Sequence, residues 1–239
     1  MKINIRIFIL SFWMLLSTSV AFSQYSMGSV GLLNAPTAQL SGDGVASAGV
    51  NFLPEVMSPD EWDYNSANYF LNITFLPFVE VGLKYTLIHF DNGVWNQDRS
   101  VSLRLRALKE RKYLPAIAIG TNDLLTFRNL NTLDKVDGNR YFSAIYAVAT
   151  KHIDIAVGQF GVTFGGYVPV DSNQFLKGLF GGVSFEPKFY SDLKFLVEYN
   201  NRDISAGAVI KLFNNFSLYA FAYDMKALAG GIRYEIDLY

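Results

Sequence analysis

The 239-residue chain has a net charge of −1 and no cysteine, which excludes disulfides, thiolate metal sites and a lipid-bearing cysteine within it. Acids and bases are interspersed, so no electrostatic footprint for nucleic acid exists. Charged residues make up 17% and aromatics 15%, against about 25% charged residues in ordinary soluble domains.

Residues 1–23 read as a cleaved export signal. Lys2 and Arg6 form its positive start, Ile7 to Val20 its apolar stretch, and Ala21-Phe22-Ser23 a small-residue cleavage pattern before Gln24. Residues 24–44 follow as an N-terminal cap or plug segment containing "GLLNAPTAQL". Pro36 lacks the N–H that a central ladder position needs, so this segment is expected in a lumen or across a periplasmic mouth.

Residues 45–239 read as a barrel. No internal apolar run is long enough for a transmembrane helix. Instead, Val79, Val81, Leu83, Tyr85 and Leu87 share one face of a strand, and Glu80, Lys84 and Thr86 share the other. On a helix the apolar set would scatter around the axis. Twelve such segments follow one another, at 45–53, 67–76, 79–90, 99–108, 114–122, 140–151, 153–165, 178–186, 192–200, 203–212, 215–224 and 228–238. Most are longer than the five or six residues usual in soluble strands and match the roughly nine to eleven that cross a bilayer.

Connections alternate as well. Long loops are expected at 54–66, 91–98, 123–139 and 166–177, and short turns at 76–78, 109–112, Lys151-His152 and 187–191. This pattern predicts an all-β fold, a transmembrane antiparallel outer-membrane β-barrel of about twelve strands, seated in the outer membrane of a Gram-negative bacterium with lipid against its apolar face. A secreted β-sandwich would show shorter strands and polar outer faces.

The polar faces place Glu80, Lys84, Arg104, Arg106, Glu198, Arg233 and Glu235 toward the lumen. A tight turn at 76–78 pairs Thr74 with Glu80 and Phe70 with Lys84, and loop 91–98 is expected to bring Lys84 close to Arg104 and Arg106. Two uses compete: a partly basic surface for anionic sugar, or a salt-bridged filling for a small barrel. Phe142, Tyr146, Tyr219 and Phe221 also take the inward parity, so part of the interior is expected to be packed rather than wet. His89 falls on the lipid-facing parity and His152 in a periplasmic turn, neither with a carboxylate and serine in register. The expectation is therefore no enzyme, no metal site and no cofactor.

Four stretches, "GLLNAPTA" at 31–38, "LPFVEVGLKYT" at 76–86, "YLPAIAIG" at 113–120 and "VEYNNRDISAG" at 197–207, resemble in order and spacing the YjbH family of exopolysaccharide-associated outer-membrane proteins. Lys84 stands where the family pattern has Arg, and better-known members are much longer. The resemblance implies an accessory role in making or exporting exopolysaccharide or capsule, with surface polysaccharide and periplasmic polysaccharide-assembly proteins as partners. A general small-solute channel or a structural barrel is the alternative.

Overall fold

The alternating pattern becomes geometry in a computed structural model that describes residues 26, 28–58, 63–89, 95–126, 142–170 and 176–238. The expected export signal and its cleavage site lie outside the described residues. Twelve strands form a single antiparallel sheet: β1 (Val45–Leu53), β2 (Ser66–Thr74), β3 (Val79–His89), β4 (Trp95–Leu108), β5 (Ala116–Thr126), β6 (Ala144–Ile155), β7 (Gly158–Pro169), β8 (Gly178–Pro187), β9 (Leu193–Tyr199), β10 (Ile204–Leu212), β11 (Phe216–Tyr223) and β12 (Ala227–Asp237). Each pairs with its neighbours in sequence, and β12 returns to pair with β1. Closure leaves no sheet edge, which is the condition for a sheet to stand in lipid.

Period-two alternation sorts the side chains. Along β3, Glu80, Lys84, Thr86 and Ile88 point inward and are buried. Outside, Leu71, Ile73, Val81, Ile119, Phe164, Val197 and Ile232 stand exposed. So much outward apolar surface is unfavourable in water and suits a hydrocarbon surround. The connections at 75–78, 109–115, 156–157, 188–192 and 213–215 gather at one end, which also receives both termini of the barrel. The opposite end carries the longer connections, including 54–65 and 127–143.

The register of β2 on β3 is the expected one, with Thr74 opposite Glu80 and Phe70 opposite Lys84. Two expectations need correction. The β6–β7 reversal falls at 156–157, and Lys151 and His152 lie within β6, opposite Val162 and Gly161. Their polarity lies near the short-turn end of the strand rather than at a change of direction. Likewise β4 begins at Trp95, opposite His89, so the preceding loop shrinks to 90–94. Lys84 therefore faces Ser100, and it is Glu80 that faces Arg104. Arg106 pairs with Ala118 on β5 but lies one residue past the β3–β4 pairing, where its backbone N–H reaches the Phe78 carbonyl and its guanidinium the Pro77 carbonyl.

The interior divides into two walls. Strands β1 to β4 present Asn51, Asn68, Asn72, Glu80, Lys84 and Arg104. The wall from β5 to β12 carries an apolar cluster of Ala118, Tyr146, Val148, Phe180, Leu196, Val209, Tyr219 and Phe221, flanked by buried polar groups such as Thr150, Glu198 and Ser205. Phe142, Tyr146, Tyr219 and Phe221 all lie inside and are buried.

Candidate functional site

What fills the lumen is the chain's own N-terminal segment. Leu33, Ala35 and Ala38 are fully buried, and Val30, Leu32 and Leu40 nearly so. The segment turns back on itself, with Gly31 bridged to Pro36 and the Leu32 amide bonded to the Ala35 carbonyl at 2.8 Å. Pro36 sits where no through-going ladder asks for its missing N–H.

The two walls hold this plug in complementary ways. Leu32, Leu33, Ala35 and Ala38 pack into the apolar cluster, while the polar wall satisfies the backbone. Asn51 and Asn68 both donate to the Ser26 carbonyl at 2.9 Å, and Asn72 donates to Gly28. Arg104 donates to the Val30 carbonyl at 2.6 Å and the Thr37 carbonyl at 3.3 Å. From the far side Glu198 accepts the Leu33 and Asn34 amides at 2.9 and 2.6 Å. Each buried backbone group thus gains a partner that water no longer supplies.

Five of the seven expected lumenal charges serve this closed arrangement directly. Glu80 pairs with Arg104 at 2.6 Å, both almost fully buried. Arg233 binds the Ser41 hydroxyl at 2.7 Å and pairs with Glu235 at 2.5 Å. Lys84 is buried with its ammonium 4.8 Å from the centre of the Phe142 ring, and Arg106 is held at the short-turn rim. The cavity that Lys84 and Arg104 still line is about 10 Å³, room for about one water.

A second cluster, which sequence reasoning missed, lies beneath the plug at the short-turn mouth. Glu110, in the β4–β5 turn, accepts the His152 backbone N–H at 2.7 Å and the Lys151 ammonium at 2.9 Å. Its other oxygen lies 2.7 Å from His152 Nδ1 and accepts from Gln39 of the plug at 3.2 Å. Burial alone would raise the Glu110 carboxyl, but the hydrogen bonds from the His152 ring and backbone and from Lys151 outweigh it and hold the group below the usual carboxylate range. Arg111, Lys112, Asp154, Gln159, Glu186 and Lys194 complete a cleft of about 730 Å³. No signal in the sequence pairs Glu110 with His152, because their meeting depends on the late reversal of β6.

A carboxylate therefore stands beside His152, supplied by a turn rather than by a strand in register with it. Ser184 lies opposite Gly161, which itself pairs with His152, yet its hydroxyl makes no hydrogen bond to the ring among the described residues. His89 belongs to an aromatic group with Tyr64 and Trp95 at the opposite end, with ring centres 5.5 and 4.9 Å away.

The plug and the first seven strands around it are matched by a family model. Residues 23–168 match the YjbH family, described as "Exopolysaccharide biosynthesis protein YbjH". The chain belongs to the YjbH family. The match spans Glu80, Lys84, Arg104 and Arg106 together with the plug and most of β7, and stops before Glu198, Arg233 and Glu235. Among curated proteins, "Uncharacterized lipoprotein YjbH" of Escherichia coli (strain K12) is 29% identical over 163 residues, covering 63% of this YjbH-family chain and 20% of that protein. The chain thus spans about a fifth of that relative's length. Among solved structures, the outer membrane protein Omp33 of Acinetobacter baumannii is similar at a TM-score of 0.44 and 8% identity, over 82% of this chain and 98% of that one.

Proposed function

We propose that this YjbH-family barrel is a non-catalytic outer-membrane accessory in exopolysaccharide or capsule biosynthesis or export, delivered to the membrane by a cleaved signal at residues 1–23. Surface polysaccharide and periplasmic assembly proteins are the partners this role implies. Membership of the family supports the polysaccharide role, and the exposed apolar belt supports the membrane location. The observation that favours an accessory over a conduit is the plug: the segment around Leu33 fills the lumen, and the wall charges Arg104 and Glu198 are engaged in holding it. A polysaccharide strand has no room to pass while the plug is seated. The barrel then acts through its faces, above all the short-turn face that an outer-membrane barrel turns toward the periplasm.

A strain lacking the gene tests this role through two measurements, surface polysaccharide per cell and uptake of small hydrophilic solutes. The expected result is reduced polysaccharide with unchanged uptake. Unchanged polysaccharide with reduced uptake would establish the small-solute channel instead.

A further inference from the structure

The short-turn mouth opens into the cleft of about 730 Å³, inside the range of roughly 300–1,000 Å³ typical of small-ligand sites. Its upper limit is the plug, through Gln39. His152 and Asp154 on β6, Gln159 on β7, Glu186 on β8 and Lys194 on β9 all take the inward parity. The lining also includes Lys151 and Ile153, which take the outward parity, so the cleft spans the barrel mouth and its outer rim.

Its chemistry is mixed in a particular way. Lys151 and His152 already hold one carboxylate, that of Glu110, through an ammonium, a backbone N–H and a ring nitrogen. Lys194 is paired with Glu186, and Gln159 donates to Asp154 at 2.7 Å. The Arg111 guanidinium has no carboxylate partner among the described residues, and the Lys112 ammonium rests 5.3 Å from the centre of the Tyr113 ring. Two cations thus stand open beside a row of hydrogen-bond acceptors. A simple phosphate asks for donors alone and has no use for Asp154 and Glu186. A sugar chain bearing carboxylates asks for both, since its acid groups pair with cations and its hydroxyls donate to carboxylates.

We propose that this mouth is a binding site for a short acidic oligosaccharide, whose carboxylates pair with Arg111 and Lys112 while Asp154 and Glu186 accept its hydroxyls. The proposal rests on the polysaccharide role above and names the ligand class that role would bring to the periplasmic face. Glu110, already seated on Lys151 and His152, shows how this wall receives a carboxylate.

Titration calorimetry on the full chain in detergent micelles tests it, with tetragalacturonate as probe and maltotetraose and tetraglutamate as controls of similar length. Saturable binding of tetragalacturonate, none of maltotetraose, and affinity about tenfold or more weaker in the Arg111→Gln/Lys112→Gln variant are expected. Both positions are exposed in a turn, and heat-modifiability on gels establishes that the variant is folded. Absence of saturable binding, equal affinity for maltotetraose, or unchanged affinity in the folded variant would overturn the proposal. Tighter binding of tetraglutamate than of the uronate would overturn it in favour of a docking mouth for an acidic protein segment. The gene-deletion strain separates the two levels: reduced polysaccharide without uronate binding removes only the site, whereas unchanged polysaccharide removes the role itself.

Discussion

Asn34 donates its backbone N–H to the Glu198 carboxylate at 2.6 Å, joining positions 164 residues apart in the chain. The neighbouring Leu33 amide donates to the second oxygen at 2.9 Å. One side chain on β9 thereby satisfies the turn of a plug that enters the barrel before β1. Glu198→Ala is expected to leave two buried amides unpaired, at a cost of about 1–3 kcal/mol each. Hydrogen exchange at Leu33 and Asn34 should accelerate strongly in this variant while the ladder amides of β9 stay protected. Equal protection of the plug in both proteins would show that Glu198 does not hold it.

Arg104 is more central, since it serves a wall carboxylate and two plug carbonyls together. Arg104→Gln strands Glu80 as a buried unpaired charge, a loss on the order of 3–5 kcal/mol. Arg104→Gln/Glu80→Gln removes both charges and should be less destabilised than the sum of its single variants. Urea unfolding in micelles reads the cycle. Additive losses would mean that the 2.6 Å pair contributes no coupling.

Much of this was legible from residue order, for stated physical reasons. The alternation of Val79, Val81 and Leu83 with Glu80 and Lys84 fixes which face meets lipid, and a tight turn then leaves the β2–β3 register little freedom. The ends of β6 were not legible, because Lys151-His152 resembles a polar turn while the true reversal at Ala156-Val157 has no proline, asparagine or glycine within it. Two irregularities in β4–β5 pairing, between Val101 and Leu103 and between Arg106 and Leu108, likewise leave no mark in the pattern. The plug's polar lining was visible as inward charge, but not the object it holds. That Glu198 meets Asn34 is a consequence of closure, and nothing local announces it.

Gly28 tests the fit of the plug sterically. Its φ of +99° lies in the region that side chains avoid, and an added Cβ would come within 2.6 Å of the Phe70 ring. Gly28→Ala should loosen the plug by about 1–2 kcal/mol from backbone strain alone, with the clash added. Phe70→Ala in the same chain, which removes the Cγ that the new methyl would meet, should restore only the steric part. Plug-amide exchange measures both, and full restoration would mean that the backbone conformation carries no strain.

The contact between Glu110 and His152 predicts a pH dependence. The folded-state carboxyl is held below its ordinary range, so this contact contributes stability above the unfolded pKa of about 4.3 and loses it as pH falls through the lowered folded value. Exchange at the His152 amide, corrected for its intrinsic rate, should therefore stay protected near neutrality and accelerate below about pH 4. Glu110→Ala should exchange fast throughout with a flat profile. Protection that persists in acid in the unmodified protein would show that the backbone ladder alone secures this amide.

Removing the plug asks whether the barrel is a channel in disguise. With residues 28–41 deleted, the apolar wall around Leu196, Val209 and Tyr219 would face water in place of Leu32 and Leu33, an unfavourable exchange of about 25 cal/mol for each Å² exposed. Arg104 would keep Glu80, whereas Glu198 would lose both amides and gain hydration. The backbone ladder closes without the plug, so the shortened chain is expected to form a barrel that unfolds at lower urea concentration. In planar bilayers the full chain should be electrically silent and the deleted chain should open stable conductance steps. Substantial steady conductance from the full chain would mean that the plug leaves the lumen unaided, and the channel function would then displace the accessory role. Silence from both, with heat-modifiability confirming folded barrels, would mean that the walls collapse together and that the plug is a structural part of the core.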